Sequence, residues 1–393
     1  MISISRLLCD NIGPQDSLRY GAHGHKDEAG AARPFQPPIV VWNCTRACNL
    51  HCIHCYASAT NSGSPDQLST AEAKKFIKDL AGFGVPVILF SGGEPLMRPD
   101  LVELADFARE NGIRAALSTN GTLIDAAMAE KIQQAGFAEV GISLDGIGEN
   151  NDKFRVQKGA FDAALEGIRA CVAQQQRVSL RLTITRFNHK EIPAILDLVE
   201  EENIPRVCFY HLAYTGRGDK IIKEDLEHAD SRAALDTICE RTVDWHRRGI
   251  PKEILTVDNA TDGVYLYLKT KDTDPQRAAT ILALLKKNGG NNSGIKIGAI
   301  DDRGNVHPDQ FSWHHTFGNV KERQFGEIWM DTSNPVLAGL KDRKKLLSGR
   351  RCPGCRYLEL CNGNLRARAE AVSGDYWGDD PACYLTDEEI GIS

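Results

Sequence analysis

Between residues 39 and 248, short apolar runs alternate with longer stretches in which apolar residues recur every three to four positions. The short runs predict buried strands at 39–42, 86–90, 115–118, 139–143, 178–185 and 207–210. The longer stretches predict amphipathic helices at 69–80, 100–111, 125–135, 160–174, 192–202 and 231–248. Ser69 and Glu72 form a capping-box pattern at the start of the first helix, and Gly112 stops the second. Apolar strands alternating with helices imply a parallel sheet covered by helices. Six such units suit an α/β fold, a partial (β/α)6 TIM-like barrel, whose chemistry gathers at the C-terminal ends of the strands.

The flanks read differently. Residues 1–37 form an N-terminal extension, partly loop, with Gly21, Gly24 and Gly30 and no periodicity. The barrel is expected over 38–249, followed by a linking segment at 250–292 with one helix at 276–287. The breaker cluster at 287–294 marks a boundary. Beyond it, 295–300 and 306–310 flank Asp302-Arg303-Gly304-Asn305 as a β-hairpin, and 293–393 reads as a small α+β domain of loops and cysteines.

Composition narrows the class. The chain has 393 residues, 42% hydrophobic and 25% charged, which is ordinary for a soluble globular protein with an ample core. A net charge of −6 argues against general nucleic-acid binding. The N-terminus lacks the apolar run of a signal peptide, and no stretch is long and apolar enough to span a membrane. Twelve cysteines without a secretion signal point to metal or redox chemistry and a cytoplasmic home.

Cys48, Cys52 and Cys55 are spaced C-x3-C-x2-C in the loop after the first strand. Three thiolates can hold three irons of a 4Fe–4S cube and leave the fourth open to an outside ligand. A zinc site completed by His51 or His54 is the competing reading of the same spacing. Three later strand ends carry Gly92-Gly93-Glu94-Pro95, Ser118-Thr119-Asn120-Gly121 and Ser143-Leu144-Asp145-Gly146. Each alone is compatible with ordinary turn capping. A second group, Cys352, Cys355, Cys361 and Cys383, offers four thiolates for a closed 4Fe–4S cluster or for structural zinc.

The cysteine loop and the Gly-Gly-Glu-Pro segment together resemble the radical S-adenosylmethionine (radical SAM) enzymes. That resemblance implies a 4Fe–4S cluster on Cys48, Cys52 and Cys55, with S-adenosylmethionine chelated by the open iron through its amino and carboxylate groups. Electron transfer then yields a 5′-deoxyadenosyl radical that abstracts hydrogen from the substrate. It further implies cofactor contacts at His54, Gly92, Gly93, Glu94, Asn120, Ser143 and Asp145, with Arg155 and Asn188 as weaker candidates. The second cysteine group resembles the SPASM/Twitch extension of the same enzymes and implies one auxiliary 4Fe–4S cluster.

Segments 209–218, 304–311, 360–364 and 374–389 resemble the NirJ-type radical SAM proteins of heme d1 biosynthesis. This likeness implies removal of two propionates from an iron isobacteriochlorin, 12,18-didecarboxysiroheme, with a flavodoxin or ferredoxin as electron donor. A radical cofactor suits a C–C bond with no easy acid–base route to cleavage. A flat, anionic metallomacrocycle needs cationic partners and can take an imidazole on its iron. Arg217 and Arg356, then Arg366 and Arg368, are the cationic candidates, and His211 and His307 the imidazoles. Enzymes of the alternative heme pathway acting on the same siroheme derivative, SPASM peptide-modifying enzymes, and a plain iron–sulfur electron carrier are the competing functions.

Overall fold

The computed structural model describes residues 1–21 and 35–392. Part of the N-terminal extension, residues 22–34 with Gly24 and Gly30, lies outside the described residues. Among the described residues, eleven strands join one sheet: β1 (Ile2–Ser3), β2 (Ile39–Asn43), β3 (Val87–Ser91), β4 (Arg114–Thr119), β5 (Glu139–Ser143), β6 (Val178–Ile184), β7 (Arg206–His211), β8 (Glu253–Val257), β9 (Ile297–Ile300), β10 (Asn305–His307) and β11 (Gly318–Asn319). Their order is β1–β8–β7–β6–β5–β4–β3–β2–β9–β10–β11. Every pairing from β8 across to β9 is parallel, and β1, β10 and β11 add antiparallel edges.

β2 to β7 are the strands the hydrophobic pattern predicts, and a helix follows each of β3 to β7. The helix at Thr70–Phe83 shows why. Ser69 caps it, Glu72 reaches back to complete the box, and Ala73, Phe76, Ile77 and Leu80 recur on its buried side. Gly84 ends it with φ of +87°, a conformation glycine adopts without a Cβ penalty.

Two departures from the sequence reading concern the flanks. The segment at 250–292 is not only a linker: it contributes β8, which pairs with β7, and two helices, Thr261–Thr270 and Pro275–Asn288. The start of the N-terminal extension pairs with β8 through Ile2 and Ser3. β8 follows Pro251 and is only five residues long, and β1 is two, so neither carries enough alternation to stand out. The expected hairpin is β9 with β10, and β9 also pairs with β2, which joins the C-terminal region to the barrel sheet. No described helix is long and apolar enough to cross a membrane.

Candidate active site

An open cleft enclosing about 1100 Å³, mouth included, lies over the C-terminal ends of the parallel strands. Cys48, Cys52 and Cys55 line one side. Their loop is held by backbone bonds, to β3 and within itself: Cys44 N–H donates to Ser91 O at 2.9 Å and Cys48 N–H to Thr60 O at 2.8 Å. Arg46 closes the loop by donating to Ala57 O and Ser58 O at 3.0 and 3.1 Å. The glycines after β3 press against it. Gly93 N–H reaches Thr45 O and Glu94 N–H reaches Ala47 O, both at 2.7 Å. A Cβ on Gly93 would sit 2.2 Å from Ala47 O, so only glycine permits this approach. From the far side Arg217 donates to Cys52 O and Ala59 O, each at 2.8 Å.

The polar residues of the strand ends divide into two roles. Glu94 is fully buried, and its carboxylate accepts from Leu96 N–H at 3.1 Å, Thr119 Oγ1 at 2.7 Å and Asn120 N–H at 2.8 Å. It ties the end of β3 to the end of β4, and burial raises its pKa. Asn188 is likewise buried and donates to Asp145 O and Thr183 O, tying β5 to β6. These two brace the rim. Gly92, Gly93, Asn120, Ser143, Asp145, Arg155 and His54 line the cleft itself. Asn120 donates to Asn49 Oδ1 at 2.9 Å and points its amide at Cys48 Sγ, 3.9 Å away. Asp145 pairs with Arg155, and Arg155 Nη1 donates to Cys52 Sγ at 3.5 Å. His54 packs on Phe154 with ring centroids 4.6 Å apart, and burial lowers its pKa to about 4.

The donor set fits an iron–sulfur cube with an outside ligand. Among the described residues, His54 Nδ1 and Arg155 Nε are buried beside the cysteines without a hydrogen-bond partner, polar groups that a ligand in the cleft can satisfy. Burial pushes the Cys48 thiol up to about 12, so metal binding rather than solvent must strip its proton. Tetrahedral zinc, at ~2.3 Å per Zn–S bond, gathers its ligands tightly. Among the described residues, the one trio of ligating atoms within 4.8 Å of one another is His314, His315 and Glu370, so neither cysteine group is drawn in to that scale.

The other side of the cleft carries a residue the motif reading missed. Arg181 of β6 lines it, donates to Ser118 Oγ at 2.8 Å and leaves Nε buried with no partner among the described residues. Gly141 on β5 makes its room, since a Cβ there would lie 2.0 Å from that Nε. An arginine inside the apolar run at 178–184 was the available signal. His211 lines the cleft too, and Asp258 stands beside it with a pKa raised to about 6 by burial.

The remaining substrate candidates fall elsewhere or are engaged. Arg217 reaches the cleft while clamping the cysteine loop. His307 is 2% exposed, with Nδ1 against His315 O at 3.0 Å and Nε2 toward Asp301. Arg356 is exposed beside the second cysteine group, outside the cleft. Arg366 and Arg368 are fully buried; Arg368 holds Asp380, Leu212 O and Asp258 O, which makes it internal scaffolding. Cys352, Cys355, Cys361 and Cys383 surround a second, smaller cavity. There Asp379 accepts from the backbone of Arg351 and Cys352, and Arg351 donates to Cys383 O at 3.0 Å.

Comparison with known proteins comes to the same region. The radical SAM superfamily profile matches residues 42–199. An Fe-coproporphyrin III synthase of Methanosarcina barkeri is 56% identical over all of this chain and 99% of its own. A pre-heme d1 synthase of Dinoroseobacter shibae is 42% identical over 94% of this chain and 91% of its own. The crystal structure of Streptococcus suis SuiB bound to its precursor peptide SuiA superposes with a TM-score of 0.71 at 18% identity, covering 89% of this chain and 76% of SuiB.

Proposed function

The chain belongs to the radical SAM superfamily, and on that premise we propose that it trims carboxylate side chains from an iron tetrapyrrole, with Fe-coproporphyrin III as the product. A radical SAM enzyme with a role in heme-type synthesis follows from its relatives; the particular reaction is our reading. The observation that carries it is the 56% identity to an Fe-coproporphyrin III synthase along the whole chain. The heme d1 reading from the segments at 209–218, 304–311, 360–364 and 374–389 becomes the second, supported by the 42% relative. The likeness to SuiB is one of fold and supports no peptide substrate.

The two readings differ in which arm leaves. Fe-coproporphyrin III keeps its propionates and bears methyls elsewhere, so making it from 12,18-didecarboxysiroheme removes acetate arms. The heme d1 route removes two propionates.

When bound at the open cube on Cys48, Cys52 and Cys55, S-adenosylmethionine supplies a 5′-deoxyadenosyl radical for hydrogen abstraction. The chain's own residues position and shield. Gly92 and Gly93 bring backbone to the rim, Asn120, Ser143 and Asp145 offer polar contacts, and His54 on Phe154 offers a flat apolar face. Arg181 presents a cation to a substrate carboxylate across the cleft. Cys352, Cys355, Cys361 and Cys383 would hold an auxiliary 4Fe–4S cluster, giving roughly eight irons per chain. An anaerobically reconstituted protein that stops at about four would remove it.

The test is incubation with 12,18-didecarboxysiroheme, S-adenosylmethionine and a reductant, followed by mass analysis of the macrocycle. Fe-coproporphyrin III supports the first reading. Loss of two propionates instead supports the second, and an unchanged macrocycle contradicts both.

A further inference from the structure

Resting on the iron-tetrapyrrole reading above, we propose that Nδ1 of His211 is the protein ligand to the substrate's iron. His211 ends β7 and lines the cleft. Its Nε2 meets Asp262 Oδ2 at 3.0 Å. Asp262 is fully buried, and its other oxygen accepts from Tyr384 O–H at 2.8 Å. Strand, helix 261–270 and C-terminal tail thus converge on one imidazole.

A buried carboxylate on one ring nitrogen is the arrangement that orients metal-binding histidines. It fixes the N–H on that nitrogen, directs the lone pair of the other outward and raises its basicity. The structure supplies this second layer without any metal ligand otherwise needing it. Nδ1 has no hydrogen-bond partner among the described residues and is not sealed off from the cleft. His307 is not among the residues that line the cleft: its Nδ1 lies against His315 O at 3.0 Å and its Nε2 faces Asp301 at 3.6 Å. His54 does line the cleft, but it sits within the cysteine loop, with Nε2 3.3 Å from Asp145, on the cofactor side.

Ligation would also solve a positioning problem. A macrocycle with several similar arms can enter in more than one orientation, and carboxylate contacts alone discriminate weakly among them. An axial bond from His211 fixes the ring's centre, and Arg181 then selects one arm. Tyr210 and Phe311 in the cleft wall provide apolar area against the ring.

The test uses the full-length reconstituted protein and the ferric form of 12,18-didecarboxysiroheme, without reductant. Electron paramagnetic resonance and visible spectra are recorded for wild type, His211→Ala and Asp262→Asn, with ¹⁵N-histidine labelling. Wild type should show histidine nitrogen coupling to the ferric ion. His211→Ala should lose that coupling, and free imidazole should restore an imidazole-type spectrum. Asp262→Asn should keep the histidine coupling but shift the spectrum and weaken binding about 10-fold, as loss of an outer partner does at metal sites. A His211→Ala spectrum identical to wild type, in a protein that still binds the macrocycle, overturns the ligand assignment alone. If wild type binds no iron tetrapyrrole, the substrate reading falls and takes this assignment with it. If His211→Ala does not fold, Asp262→Asn decides: a spectrum and affinity unchanged from wild type refute the assignment.

Discussion

At the N-terminal edge of the parallel sheet, Glu139, Arg206 and Glu253 from three strands meet Arg19 and Asp16 from the first segment of the chain. Every carboxylate oxygen of Glu139 and Glu253 has a partner there: Ser179 Oγ donates at 2.8 Å, Arg206 Nη2 at 2.6 Å and Arg177 Nη2 at 2.7 Å. Toward the C-terminal edge the cleft is lined by polar groups left open. His54 Nδ1, Arg155 Nε, Arg181 Nε and Asp258 Oδ2 are buried without partners among the described residues. Both edges carry buried charge, so charge alone does not mark a site. What separates them is the degree of satisfaction: the lower network meets every oxygen of Glu139 and Glu253 and, among the described residues, leaves Arg19 Nη2 unpartnered, whereas the upper edge leaves four such atoms around one cleft, open to a ligand.

The contrast can be broken from either end. Cys48→Ala, Cys52→Ala or Cys55→Ala should abolish S-adenosylmethionine cleavage while circular dichroism keeps the folded signature. 5′-Deoxyadenosine release by any of the three would refute the cluster assignment. Arg206→Ala should act oppositely, on stability first. Removing one partner of a buried ion pair costs about 3–5 kcal/mol, read as a lower denaturation midpoint. A midpoint equal to wild type would mean the lower network is not structural.

A subtler test compares the pH response of the two edges. Burial favours the neutral form of Glu253, but its hydrogen bonds to Arg206 outweigh this and leave its pKa lowered. Its stabilisation is therefore present above the unfolded value, ~4.3, and is lost as pH falls through the folded one. Asp258 runs the other way: with a pKa raised to about 6, its folded state prefers the proton, and stability is lost as pH rises from ~3.9 toward 6. Glu253→Gln should be less stable than wild type at pH 7, and the gap should close in acid. Asp258→Asn should be more stable than wild type at pH 7, and that gap should close by about pH 4. Parallel curves for either variant would remove its carboxylate from the comparison.

The same contrast explains what the sequence disclosed. The cysteine loop and the Gly92-Gly93 turn are contiguous, so their chemistry is legible in one line of residues. The lower network joins positions as distant as Arg19 and Glu253, and no local spacing reveals such a meeting. Glu94 and Asn188 sit in the expected segments, yet the structure turns them inward as braces, because their partners are backbone groups of neighbouring strands. Arg181 was hidden for the converse reason. It stands alone in an apolar strand, and only the vacancy opposite it at Gly141 shows that it is accommodated by design of the sheet. β8 escaped because its five residues look like any short apolar stretch until β1 and β7 flank it.

The most direct measurement concerns the fourth corner of the cube on Cys48, Cys52 and Cys55. The anaerobically reconstituted, reduced protein is mixed with S-adenosylmethionine carrying ¹⁵N in its amino group and ¹⁷O in its carboxylate, and examined by electron–nuclear double resonance. An iron free of protein ligands predicts hyperfine coupling to both labels. Absence of coupling to either, with the cluster intact and reduced, would contradict an open iron at this edge of the sheet.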